Sequence, residues 1–156
     1  MLEARKASFW RNRYEISADG EVLLTWEGSS WRHGGTFELA GQQYSVRGNM
    51  WGSRYGMVDQ FGTRVASADR VGRKNWTVEA GGRAYTFHRR SIFRQEEQLH
   101  SEGQRLGTVK RSNRWRSDAV ADLPGLPLPV QVFVLAVAIT MWDSAAAAGA
   151  TAAAAG

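Results

Sequence analysis

The side chains best placed by type and spacing to do chemistry are cations. They fall into three groups: Arg70, Arg73 and Lys74; His88, Arg89, Arg90 and Arg94; and Lys110, Arg111, Arg114 and Arg116. Arginine-rich surfaces favour anionic partners, so phospholipid headgroups, nucleic acid and acidic protein are the classes to weigh. The net charge of +5 agrees with that. Acidic residues are interspersed with the basic ones, so a solvated surface with a positive bias is the competing reading.

Other side chains offer less. His33, His88 and His100 lie far apart and form neither an HExxH motif nor an i,i+4 pair. On an alternating strand His88 points away from Tyr85 and Phe87, which puts it on the surface. Glu96 and Glu97 are neighbours, and strand neighbours point to opposite faces. They cannot converge as a catalytic carboxylate pair and read as solvated charges. Ser29, Ser30, Ser91 and Ser144 lack the strand–turn–helix setting of a nucleophile elbow. Gly34-Gly35 and Gly81-Gly82 read as hairpin turns, not as phosphate loops between a strand and a helix. Of the seven Trp residues, Trp26 and Trp76 alternate with polar neighbours and read as core. Trp31 and Trp51 lie beside Gly and Arg in expected loops, where they could stack on a ligand. No catalytic residue, metal or cofactor is expected, and the chain reads as non-enzymatic.

The elements that must hold these residues are mostly strands. Tyr44 and Val46 share one face while Ser45 and Arg47 take the other; Val22, Leu24 and Trp26 repeat the rule. Phe37 and Leu39, Tyr55 and Met57, Trp76 and Val78, and Tyr85 and Phe87 continue it. Turn signals separate the runs at Asp19-Gly20, Gly34-Gly35, Gly41, Gly62, Gly81-Gly82 and Glu102-Gly103. Gly41-x-x-Tyr44-x-Val46 recurs about 41 residues later as Gly82-x-x-Tyr85-x-Phe87. The pattern predicts a closed antiparallel barrel of about 11–12 strands; the chain is too short for a propeller at this period.

A different composition follows. Leu123-Pro124-Gly125-Leu126-Pro127-Leu128-Pro129 forbids a regular helix before residue 129, and Pro129 suits a helix start. The thirteen residues from Val130 to Trp142 are apolar almost all round. A helix at about 129–145 with no polar face must be buried on every side, in a protein or in a membrane. Thirteen residues span roughly 20 Å, short of the roughly 30 Å of a bilayer core. A barrel of about eight strands is filled by its own side chains, whereas a wider one needs a filler. The apolar helix supplies it, facing Tyr14, Ile16, Val22, Leu24, Trp26, Phe37, Leu39, Tyr44, Val46, Met57, Trp76, Val78 and Phe87. One domain over residues 8–145 is expected, with an Ala-rich tail over 146–156 that frays. A membrane anchor formed by the C-terminal helix is the alternative.

The hairpin series (Gly41 to Val46, Asp59 to Ala66, Gly82 to Phe87) and the run from Leu126 through Asp143 resemble the tubby C-terminal-like superfamily, which includes LURP-one-related proteins and phospholipid scramblases. The resemblance covers residues 8–145 and implies a twelve-stranded barrel around a hydrophobic C-terminal helix. It also implies lipid binding, although no family site motif can be matched residue by residue. There is no EF-hand-like loop and no Cys-rich region.

With no cysteine, disulfides and thiolate metal sites are unavailable. Met1 to Trp10 is charged and lacks an apolar h-region, so no cleaved secretion signal is expected. The expectation is a monomeric, cytoplasmic domain, peripheral to a membrane where lipid is the partner. It binds anionic phospholipid headgroups or another anionic partner through Arg70, Arg73, Lys74, Arg89, Arg90, Lys110, Arg111 and Arg114. Nucleic acid is not the expected partner. The alternatives are a structural or protein-interaction module and the C-terminally anchored membrane protein.

Overall fold

Alternating apolar residues and tight turns give a meander. In the computed structural model, which describes residues 1–7, 13–28, 34–91, 95–113 and 117–155, twelve antiparallel strands close into a barrel around one C-terminal helix. The first four are β1 (Leu2–Lys6), β2 (Arg13–Ala18), β3 (Glu21–Gly28) and β4 (Gly34–Leu39). Then come β5 (Gln42–Gly48), β6 (Tyr55–Asp59), β7 (Arg64–Asp69) and β8 (Asn75–Ala80). The wall finishes with β9 (Arg83–Ser91), β10 (Glu96–Ser101), β11 (Gln104–Asn113) and β12 (Asp118–Asp122), and the helix is α1 (Leu128–Ala155). Each strand pairs with its chain neighbours, and β1 pairs with β12 to remove the edges. The barrel thus begins before residue 8: Leu2 and Ala4 face inward, and the charged Glu3 and Arg5 face out.

The two ends of the barrel differ. At one end, two-residue turns such as Asp19-Gly20 and Gly81-Gly82 join the strands with both residues at positive φ. That backbone matches the twist of a hairpin and explains the glycines. The turns at Ala40-Gly41 and Glu102-Gly103 and the loop holding Gly62 close the same end. The chain also enters the barrel here, through Leu123 to Pro127. The other end carries the longer loops, among them 49–54 and 70–74.

α1 runs up the barrel axis from the tight-turn end. Val130, residues 132–139, Met141 and Trp142 are all buried, packed against strand side chains that include Ile16, Trp26, Met57, Trp76, Phe87, Leu99 and Val109. The two polar side chains within this stretch are satisfied locally. Gln131 Nε2 donates to the Leu126 carbonyl at 2.8 Å and Thr140 Oγ1 to the Ala136 carbonyl at 2.8 Å. A helix apolar on all sides is therefore enclosed by the wall, with the side chains of Gln131 and Thr140 both hydrogen-bonded to backbone carbonyls.

Three local expectations are corrected. Val22 is 56% exposed. The β2–β3 register shifts between Ile16/Leu24 and Ser17/Val22, so Leu23 is the extra residue of a bulge and packs on the core instead. Gly34 and Gly35 lie inside β4, paired with Arg47 and Val46, not at a turn. A Cβ at 35 would strike the Glu27 carbonyl and the Trp26 ring, so glycine there lets β3 and β4 close over Trp26. Finally, α1 runs past residue 145 through the Ala segment to Ala155, as suits the residue with the highest helix propensity.

Candidate functional site

Because strand direction alternates, the loops after β5, β7, β9 and β11 must lie at one end. The three cation groups of the sequence are spaced by two strands, so the fold delivers them to the same rim. The described candidates Arg70, Arg73, Lys74, Arg89, Arg90, Lys110 and Arg111 are all there. Arg114, Arg94, Arg116 and Trp31 lie outside the described residues.

The turn between β7 and β8 is held rigidly. Val71 is buried as a plug, and its backbone N–H donates to the Ser53 carbonyl at 3.0 Å. The Asp69 carboxylate accepts from the Arg70 N–H at 2.8 Å, and the Arg73 N–H donates to the Arg70 carbonyl at 3.1 Å. Arg70 itself sits at φ 59°, a conformation that a non-glycine residue keeps only when its surroundings enforce it. The Arg70 N–H, with Arg54 beside it, holds the Asp69 carboxyl below its ordinary pKa. The turn presents Arg70, Arg73 and Lys74 to solvent with no ion pair among the described residues.

Next to it stands the turn between β5 and β6, built on Asn49. Asn49 Oδ1 accepts from the Ser53 N–H at 2.9 Å and the Arg54 N–H at 3.2 Å, and its Nδ2 donates to Ser53 Oγ at 2.9 Å. The Gly52 N–H donates to the Asn49 carbonyl at 3.1 Å. With the backbone so tied, Met50 and Trp51 each stand 83% exposed at the tip. Trp51 stands in an exposed loop, as expected beside its Gly and Arg neighbours, and the Val71–Ser53 hydrogen bond joins that loop to the turn holding Arg70.

The remaining cations divide. Arg90 and Lys110 point outward on either side of Glu96, which Arg90 approaches at 3.6 Å and which lies opposite Lys110 in the ladder. Arg54 pairs with Asp69 at 3.2 Å and Arg13 with Glu27 at 2.5 Å. Exposed pairs of this kind contribute little to stability, but they leave the trio on the β7–β8 turn as a cluster of cations without an ion pair among the described residues.

Arg89 and Arg111 turn inward. Arg89 Nε donates to Glu97 Oε1 at 3.3 Å, and its Nη2 lies 3.7 Å from Met141 Sδ on α1. Glu97 is fully buried, which corrects the reading of it as a solvated charge. It shares strand parity with the buried Leu99, and parity rather than residue type decides its face. Burial raises its pKa, against the opposing pull of the Arg89 charge and of the polar groups of Trp76 and Trp142. Neither indole N–H completes a hydrogen bond of normal geometry, and Glu97 Oε2 has no partner among the described residues. Arg111 is the deeper of the two: Nη2 donates to Asp143 Oδ1 at 2.6 Å, Nε to Gln95 Oε1 at 3.0 Å, and Nη1 to the Ser117 carbonyl. These two guanidiniums hold the helix to the wall, and among the described candidates the outward Arg70, Arg73 and Lys74 carry no ion pair.

The other titratable candidates stay apart. His88 and His100 meet edge to face on the outer wall, 6.1 Å between ring centres, and bond to Asn75 and Gln98 respectively. Among the described residues no group of three His, Cys, Asp or Glu could hold a metal ion. In comparisons with known proteins, no family model, curated protein or solved structure matches the chain.

Proposed function

We propose that this barrel is a non-enzymatic, cytoplasmic, peripheral membrane module whose long-loop rim binds anionic phospholipid headgroups. The observation that supports this best is the rigid β7–β8 turn, which holds Arg70, Arg73 and Lys74 outward and unpaired among the described residues. Guanidinium and ammonium groups without an internal partner meet phosphate without first giving one up, and the fixed backbone keeps the three side chains on one turn. Arg90 and Lys110 extend the cationic surface around the rim. The tubby-like resemblance belongs to the same proposal: twelve strands around a buried helix accord with its plan, and lipid binding is what it implies.

The test is co-sedimentation of the protein with phosphatidylcholine vesicles, with and without phosphatidylserine, across a salt series. Binding is expected only with the anionic lipid and should weaken steadily as salt screens the rim. R70A/R73A/K74A should lose most of that binding and keep the wild-type melting temperature, because none of the three side chains packs inside. Equal binding by the triple variant would overturn the proposal.

The anchored alternative draws on α1, which from Leu128 to Gly149 is long and apolar enough to cross a membrane by length and composition. Against it stands the cost of leaving: Val130 to Trp142 fills the barrel, and withdrawing it would empty the interior.

A further inference from the structure

We infer that Met50 and Trp51 form an insertion wedge, and that the rim docks on a lipid bilayer with this turn buried at the headgroup–acyl boundary. The inference rests on the headgroup reading of the rim and adds which segment enters the membrane. Met50 and Trp51 are adjacent and each 83% exposed, so they form a contiguous apolar tip, the kind of exposed apolar surface that marks an interaction site more than a lone side chain such as Phe61 does. Here the turn is stiffened by Asn49, Ser53 and Gly52, so the pair is held out in solvent and cannot fold back. Trp is amphipathic and prefers the interface between headgroups and acyl chains. Met is unbranched and adapts to loosely packed surroundings.

The neighbours choose the occupant. The hydrogen bond from Val71 to Ser53 fixes the apolar tip beside Arg70, Arg73 and Lys74, which have no ion pair among the described residues. Apolar side chains flanked by unpaired positive charge complement an anionic bilayer, whose headgroups take the cations while its acyl region takes the tip. A soluble phosphate ligand would use the cations and leave the tip in water. α1 leaves the barrel at this same end, so docking this way turns its exposed, uncharged segment Ser144 to Gly149 toward the lipid.

The probe is vesicles of phosphatidylcholine and phosphatidylserine carrying bromine on the acyl chains, which quench only tryptophans that reach them. Wild-type protein should bind with quenching, and W51F should bind with that quenching removed. M50S/W51S should bind at least about tenfold more weakly at low salt, since two buried apolar side chains are lost. Its melting temperature should not move. Undiminished vesicle binding by M50S/W51S, or quenching equal in W51F, would overturn the wedge. If R70A/R73A/K74A then still loses binding, the headgroup reading survives alone. Failure of the wild-type protein to bind anionic vesicles at low salt would overturn both.

Discussion

Arg111 reaches Asp143 across 2.6 Å, joining β11 to the single charged residue of α1. The pair is elaborated on both sides. The other Asp143 oxygen accepts from the Tyr14 hydroxyl at 3.2 Å, and the Arg111 guanidinium lies 5.2 Å from the centre of the Trp142 ring. Burial, reinforced by the Asp143 charge, pushes the Tyr14 phenol up to about 12. The phenol therefore stays protonated and keeps donating at any physiological pH. One carboxylate thus ties the helix to β2 and to β11 at the end where it leaves the barrel.

Asp143→Ala should be among the most damaging single changes outside the apolar core. Arg111 is only 6% exposed, and the substitution would leave its charge without an anion. Breaking a buried pair in this way costs about 3 kcal/mol, or roughly 10 °C in melting temperature. Arg111→Met/Asp143→Leu should be more stable than Asp143→Ala, because neither charge remains to be solvated. Thermal unfolding of the single and double variants measures the coupling. A loss below about 1 kcal/mol in Asp143→Ala would mean that the pair is screened like a surface one.

The barrel plan is legible in the sequence because both of its signals are local. Alternation at Tyr44/Val46 and Trp76/Val78 marks the inward face, and the apolar run from Val130 to Trp142 marks an enclosed helix. Charged residues that break the rule were hidden by their own type. Glu97 has the parity of Leu99, Arg89 that of Phe87, and Arg111 that of Val109, so parity would have sent all three inward. Val22 escaped because a bulge resets parity within β3, and a bulge has no marker in this stretch. The joining of Met50-Trp51 to Arg70 depends on a backbone hydrogen bond between two turns, which no residue type announces.

Glu97→Gln tests what the buried carboxyl does to stability. Its pKa is raised in the folded state, so the folded chain holds the proton more tightly than the unfolded chain does. Stability from this group is present at acidic pH and is lost as pH rises from the unfolded carboxyl value of about 4.3 through the folded one. Glutamine is neutral at every pH. The variant should melt higher than wild type at pH well above the unfolded carboxyl value of about 4.3, with the gap narrowing as pH falls toward it. Melting curves collected across that range decide it: a gap of constant size would show that ionisation of Glu97 is not the cause.

Gly107→Ala probes the corner where the chain leaves the wall for the interior. Gly107 is buried on β11, and a Cβ there would collide with the Asp122 carbonyl and crowd Leu123. Those are backbone and near-backbone atoms at the end of β12, with little freedom to retreat. Overpacking of this kind costs about 2 kcal/mol. Gly103→Ala would fail for another reason, its positive φ, whereas Gly107, like Gly35, reports on space alone. Chemical denaturation should show a lower midpoint with an unchanged slope.

Removing the helix asks whether the barrel exists without its filling. A chain ending after Gly125 keeps all twelve strands and loses every residue of α1. The inward faces of Ile16, Met57, Trp76, Phe87 and Val109 would then line a void or face water. Single large-to-small changes in a core already cost several kcal/mol, as Phe133→Ala should by about 3–5 kcal/mol, and a whole missing helix exceeds the stability of an ordinary domain. The truncated chain should aggregate on expression, while the full chain remains soluble and unfolds cooperatively without detergent. A soluble, cooperatively folded truncation would mean that the wall can collapse on itself. It would also free α1 to act as an anchor, and the balance between peripheral and spanning readings would reverse.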